Sequence, residues 1–168
     1  DALLTYALKQ GYTQENLEKA GLIIVKSHEA NSRPFDRFSD RVMFPIHNFS
    51  GKIIAFGGRV LGAVDKHISK YINSPETNIY HKSDVLYGIF QAKTAIKKAD
   101  KCYLVEGYTD VISLNQAGIE NVVASSGTSL TTGQIKLLNK LTDNVTVVYD
   151  GDSAGIHAAL RAVGMLLK

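Results

Sequence analysis

Two continuous apolar runs in this 168-residue chain each stop at a carboxylate followed by glycine: Cys102-Tyr103-Leu104-Val105-Glu106-Gly107 and Val145-Thr146-Val147-Val148-Tyr149-Asp150-Gly151-Asp152. Short runs rich in β-branched and aromatic residues read as strands buried on both faces, and each is followed here by a helix-compatible segment. That combination points to a parallel α/β sheet, in which the carboxyl ends of the strands line the binding crevice. Acids brought to two such ends supply the oxygen ligands that Mg²⁺ takes, usually shared between a few carboxylates and substrate phosphates. The sequence therefore predicts metal-dependent phosphate chemistry.

From residue 102 the predicted order is strand 102–106, helix 109–117, strand 121–125, helix 132–140, strand 145–149 and helix 154–167, with right-handed crossovers. Upstream, residues 3–30 read as a helical hairpin, with Gly11 as a stop and Thr13 as a cap. Residues 31–38 read as a loop, and the alternation of Val42, Phe44 and Ile46 before His47–Gly51 reads as a β-hairpin. Gly57 and Gly58 are expected to interrupt its second strand and to admit a close neighbour. Residues 62–82 are expected to be irregular, and helical spacing resumes from Asp84 to Lys98.

A hydrophobic content of 45% is enough for a real core. No apolar stretch approaches the roughly 20 residues of a membrane span, and the start at Asp1-Ala2-Leu3 shows no signal-peptide pattern. The expectation is an excised piece of a cytoplasmic protein with no membrane partner. Cys102, the single cysteine, lies inside a predicted strand, which excludes internal disulfides and a cysteine-based zinc site. Charge is uneven along the chain. Residues 31–98 carry a net +6 and residues 101–168 a net −1, so a basic lobe precedes an acidic one. Such a pairing suits a polyanion held beside a metal site, although a basic face alone is ordinarily a solvated one.

Asp110 falls in the first turn of a helix, where a carboxylate also complements the helix dipole. Glu106 has a weaker structural explanation, since a carboxylate closing a buried strand is costly without a partner or a metal. Asp150 and Asp152 form an Asp-x-Asp around Gly151, weak alone but strong beside Glu106-Gly-x-x-Asp110. His28, His47, His67, His81 and His157 have no ligand-like spacing, so surface or core roles are expected. Residues 125–129 read as loop, and Tyr108 as packing.

At this point the chain resembles the Toprim domain, the metal-binding α/β module shared by bacterial primases, topoisomerases and some nucleases. The segments Arg37–Ile46, Ile54–Gly62, Lys70–Thr77 and His81–Gly88 resemble more closely the RNA-polymerase domain of the bacterial DnaG-type replicative primases. The resemblance covers residues 35–168. It implies an α/β fold with a Toprim-type parallel sheet flanked by helices, preceded by a smaller mixed α+β basic lobe. The division expected is a basic subdomain over residues 1–98 and a metal-binding subdomain over residues 99–168.

By the same resemblance Glu106, Asp110, Asp150 and Asp152 are catalytic, with Glu106, Asp150 and Asp152 as metal ligands. Arg59, Lys70, Tyr71, Asn73 and Lys82 line the groove for template and nucleotide phosphates. The implied function is DNA-directed synthesis of short RNA primers at the replication fork, in the nucleoid. Mg²⁺ or Mn²⁺ is the implied cofactor. Single-stranded DNA and ribonucleoside triphosphates are the implied partners, with a replicative helicase reached through a module outside this sequence. The family's acidic site is completed by a further Asp pair after the next strand, so the isolated chain is expected to be inactive. Two other readings stay open: a Toprim nuclease or topoisomerase using the same acids for cleavage, and a non-catalytic nucleic-acid-binding module.

Overall fold

The computed structural model describes residues 1–26, 33–62, 68–127 and 129–167. The chain separates into two compact units: Asp1–Ile46 with Ile54–Tyr80, and His47–Ile53 with residues from His81 onward. Among the described residues no helix is long and apolar enough to cross a membrane.

The first unit opens with α1 (Ala2–Lys9) and α2 (Gln14–Lys19). Thr13 caps α2, its hydroxyl accepting the Asn16 N–H at 3.2 Å, as its position before Gln14 predicts. Leu4, Ala7 and Leu17 come together with Ile23 in a small core. Two short strands lie where the sequence suggested only hairpin and loop: β1 (Ile23–Ile24) pairs antiparallel with β2 (Phe35–Asp36). Asp36 is buried, and its carboxylate accepts the Leu3 and Leu4 N–H groups at 2.9 Å, satisfying donors that the start of α1 leaves open. The parts of the predicted hairpin and loop at residues 27–32 lie outside the described residues.

A three-stranded sheet follows, in the order β3 (Arg41–His47), β4 (Ile53–Val60), β5 (Tyr71–Asn73). Two expectations are corrected here. Gly57 and Gly58 lie inside β4 rather than breaking it, because both pair with β5, opposite Asn73 and Ile72; a Cβ on Gly58 would come within 2.7 Å of the Phe38 ring and 3.0 Å of Arg41 Cδ. The close neighbours that need glycine are thus side chains of the protein itself. The segment read as irregular contains β5, held to β4 by the antiparallel register Gly57↔Asn73, Gly58↔Ile72 and Arg59↔Tyr71. Its length of three residues is too short for an alternation to show in sequence.

The second unit holds the parallel sheet. β6 (Cys102–Val105) is central, with β7 (Val122–Ala124) on one side and β8 (Val145–Val147) on the other, both parallel to it. Helices α3 (Ile89–Ala99), α4 (Tyr108–Gln116), α5 (Thr132–Leu138) and α6 (Ser153–Leu166) accompany the strands. Leu104 and Val123 of the sheet, Ile89 and Ile96 of α3, Leu138 of α5 and Ala162 of α6 share one core. Each fully buried Leu or Ile there stabilises the fold by roughly 1.5–3 kcal/mol. Helix α3 starts at Ile89, later than its spacing suggested, because Gly88 takes a left-handed conformation (φ 82°) and Tyr87 before it bridges antiparallel to Ala124. The turn His47–Ile53 belongs to this unit: Phe49 packs on its core, and a Cβ on Gly51 would meet the Phe90 ring at 2.5 Å.

Candidate active site

The sheet order makes β6 and β8 hydrogen-bonded neighbours, so the two acid-terminated runs end side by side. Val148 N–H donates to the Leu104 carbonyl at 2.8 Å, carrying the pairing one step beyond β8. The chain then turns so that the Asp150 N–H donates to Glu106 Oε1 at 2.9 Å. Helix α6 starts immediately afterwards, with Asp152 as its N-cap: Asp152 Oδ1 accepts the Gly155 N–H at 2.7 Å. Gly155 is buried, and a Cβ there would collide with the Asp150 carbonyl oxygen and stand 3.0 Å from Glu106 Oε1. Only a residue without a side chain lets α6 approach this turn.

On the other side of β6, Ser126 N–H donates to the Glu106 carbonyl at 3.1 Å, and Ser126 carries a positive φ of 56°. The Tyr149 phenol is pushed up mainly by burial, an effect partly offset by its hydrogen bond with Ser125 and reinforced by the Glu106 charge. The carboxyl ends of all three strands therefore meet around Glu106.

The four sequence-predicted acids are placed differently from one another. Glu106 is half-buried, with one oxygen engaged by the Asp150 N–H. Asp150 is exposed, and its carboxylate has no hydrogen-bond partner among the described residues. Asp152 is exposed and engaged at one oxygen in capping. Asp110 reaches back from the first turn of α4 to the Gly107 N–H, Oδ2 to nitrogen 2.9 Å. This is the N3 half of a capping box, in which the third helical residue's side chain accepts the N-cap N–H; glycine at 107 has no side chain to supply the other half.

Among the described residues no group of three or more His, Cys, Asp or Glu side chains is gathered closely enough to hold a metal ion. The donor chemistry still suits a hard divalent cation, since every candidate ligand is a carboxylate oxygen. The structure brings Glu106 to the backbone of Asp150, not three carboxylates to one point.

The basic candidates divide between the units. Arg59, Lys70, Tyr71 and Asn73 lie on or beside the β4–β5 pair, with the Arg59 guanidinium 5.6 Å from the Tyr71 ring centroid. Two arginines not singled out in sequence tie this pair down. Arg41 donates to the Ser69 carbonyl at 2.9 Å, and Arg37 to the Asn73 carbonyl at 3.4 Å. Lys82 belongs to the second unit, on a 3-10 turn (Lys82–Asp84).

Of the histidines, His47 stacks on Phe90 and meets Gln91, and His157 Nδ1 lies 2.6 Å from the Ser153 carbonyl. His28, His67 and Thr128 lie outside the described residues. Tyr108 is buried edge-on against Tyr87, ring centroids 4.6 Å apart, as a packing residue.

Residues 1–93 match the family described as the DNA primase catalytic core, N-terminal domain. The chain belongs to the DNA primase catalytic-core family. Residues 103–168 of this primase core match the Toprim-like family, which implies a divalent cation. A DNA primase from Clostridium acetobutylicum is 48% identical over 165 residues, covering 98% of this chain and 26% of that protein. The chain thus spans about a quarter of the length of that relative.

Among solved structures, the zinc-binding and RNA polymerase domains of the Aquifex aeolicus primase superpose with a TM-score of 0.89 at 38% identity, covering 99% of this chain and 40% of that one. A DnaG primase catalytic domain bound to single-stranded DNA superposes with a TM-score of 0.80 at 45% identity, covering 94% and 48%. The α/β fold with a Toprim-type sheet and a preceding smaller α+β lobe, expected from the resemblance, is the fold observed.

Proposed function

We propose that this primase core takes part in joining ribonucleotides into short primers on a single-stranded DNA template. The observation that supports it most directly is the bond from the Asp150 N–H to Glu106, at the carboxyl ends of adjacent strands in a chain of this family. In the reaction, the 3′ oxygen of one nucleotide attacks the α-phosphate of the next and pyrophosphate leaves. A divalent cation, Mg²⁺ or Mn²⁺, supplies charge neutralisation at the reacting phosphate. Glu106, Asp150 and Asp152 are the residues proposed to hold it.

Each of these residues has a backbone-defined place from which to act. The Asp150 amide fixes one Glu106 oxygen and leaves the other for a cation. Asp152 is held at the start of α6 by its cap, and Asp110 shapes the Glu106–Gly107 turn from α4. A cation held by Glu106, Asp150 and Asp152 would keep positions open for substrate phosphate oxygens.

Residues 1–98 are proposed to hold the polyanion and residues 99–168 the cation. Arg59, Lys70, Tyr71, Asn73 and Lys82 contact template or nucleotide phosphates, in keeping with the +6 charge of residues 31–98. A DnaG catalytic domain of similar fold bound to single-stranded DNA supports that ligand. Ribonucleoside triphosphates and a replicative helicase at the replication fork are the remaining partners proposed.

The test is primer synthesis by the full-length protein on a single-stranded template with ribonucleotides and Mg²⁺ or Mn²⁺. Glu106→Gln and Asp150→Asn should each abolish synthesis while the protein stays folded. Template cleavage instead of synthesis would favour a nuclease. Template binding with neither reaction would favour a binding module.

A further inference from the structure

The side chain of Gln134 is fully buried, yet its amide is completely engaged, and two of its three bonds reach a segment about fifty residues earlier in the chain. Gln134 Nε2 donates to the Lys82 carbonyl at 3.1 Å and to the Val85 carbonyl at 2.9 Å, while Oε1 accepts the Thr131 N–H at 3.2 Å. Both amide hydrogens and one oxygen lone pair are used. Beside it the Thr131 hydroxyl donates to the Ser83 carbonyl. Gly133 completes the cradle: a Cβ there would strike Asp84 Oδ1 and come within 2.6 Å of the Ser83 carbonyl oxygen. The carbonyls of residues 82, 83 and 85 are therefore all held by the first turn of α5. Asp84 between them fits only because residue 133 has no side chain.

The topology says where this cradle holds its cargo. Tyr87 bridges antiparallel to Ala124, the last residue of β7, through bonds of 2.9 and 3.1 Å. A segment antiparallel to β7 runs backward from Tyr87 past the carboxyl end of that strand. The turn at Lys82–Asp84 thus leads through the buried Leu86 into a bridge at the carboxyl end of β7.

We propose that Gln134 is a positioning residue for phosphate binding: by fixing the carbonyls of Lys82 and Val85, it sets the turn that presents the Lys82 ammonium to a phosphate of single-stranded DNA or of a ribonucleoside triphosphate. The proposal rests on the reading of Lys82 as a phosphate contact given above. A lysine on a loose turn must be ordered when it binds, and a fixed backbone removes that cost. An apolar residue at 134 would leave two part-buried carbonyls without that partner and let the turn drift.

A double-mutant cycle tests it in the full-length protein with Lys82→Ala and Gln134→Met, the latter chosen because methionine preserves volume. Affinities for a fluorescent oligothymidylate and for ATP with Mg²⁺ are measured across a salt series, with thermal melts alongside. For whichever ligand Lys82→Ala weakens, Gln134→Met should weaken binding by about three- to tenfold and lower the salt slope toward the Lys82→Ala value. In the Lys82→Ala background it should add nothing, since residues acting through one another are not additive.

Thr131→Ala, which frees the Ser83 carbonyl and removes the hydroxyl that caps the Gln134 N–H, should reproduce the pattern more weakly and serves if Gln134→Met fails to fold. An equal loss in both backgrounds would show that Gln134 supports the fold generally and would overturn the proposal. An unchanged affinity of Lys82→Ala for both ligands would instead remove Lys82 from the phosphate site, and the positioning role with it.

Discussion

Arg59 lies with its guanidinium 5.6 Å from the centroid of the Tyr71 ring because the β4–β5 register sets the two residues opposite one another. Tyr71 is 37% exposed, so the pair joins a fixed cation to an open aromatic edge. Such a pair can hold a phosphate and stack a base, the two devices by which single strands are bound without sequence preference.

Arg59→Ala should lower the slope of log affinity against log salt for single-stranded DNA by about 0.7, the value for one phosphate contact. Arg59→Lys should keep the slope. Anisotropy with a labelled oligonucleotide over a salt series reads both, and an unchanged slope in Arg59→Ala would leave this charge solvated only.

Asp150 and Asp152 should separate by stability although both are proposed as metal ligands. The Asp150 carboxylate has no hydrogen-bond partner among the described residues, so Asp150→Asn should shift unfolding free energy by no more than about 0.5 kcal/mol. Asp152→Ala removes the cap of α6 and should destabilise by about 1 kcal/mol. Urea melts measure the first difference. Mn²⁺ titration should show weakened binding in both variants, and unchanged metal affinity in both would remove these acids from the ligand set.

Gly155→Ala should cost about 1–3 kcal/mol, since its Cβ would collide with the Asp150 carbonyl and crowd the Glu106 carboxylate. Gly151→Ala, at a position where a Cβ would meet nothing within 4 Å, should be near neutral. Thermal melts of the two variants make the comparison.

Alkaline conditions should unfold the protein through Cys102 first. Burial pushes its thiol up to about 12 from 9.0, so the folded state keeps the proton that the unfolded chain releases. The stability that Cys102 contributes is complete below about pH 9 and is lost as pH rises from there towards 12. Tyr80 adds to the loss above about pH 10, its phenol raised to about 12 by burial and then by the Glu76 charge. Urea melts from pH 8 to pH 11 should show a steady decline, shallower in Cys102→Ala, and a flat profile would contradict the assignment.

The parallel sheet was readable because its strands announce themselves as apolar runs closed by turn residues, with helices of clear spacing between them. Glu106 and Asp150 were readable for the same reason: a carboxylate at the end of a buried run has few structural excuses. Strands β1, β2 and β5 were not, since two or three residues carry no period, and what orders β5 is the reach of Arg37 and Arg41 from other segments.

Gln134 shows the same limit from the other direction. Thr131 and Gln134 form a capping box in the structure, with the Gln134 N–H donating to the Thr131 hydroxyl at 3.2 Å. Nothing in the spacing tells that its amide also holds carbonyls at 82 and 85. Long-range polar bonds leave no local pattern.

The second unit is discontinuous in sequence, and that has a consequence for dissecting the protein. Its share of the chain includes the heptapeptide His47–Ile53, whose Lys93-facing side seats an ammonium 4.4 Å from the Phe90 ring centroid and in bond distance of the Phe49 carbonyl. A protease cut or gene truncation at residue 80 would therefore separate the Toprim-type half from one of its own pieces. Phe90 would lose His47 and Gly51 in the product, which would offer a new sticky face to solvent. The two halves are thus poor candidates for shuffling by simple end-to-end fusion.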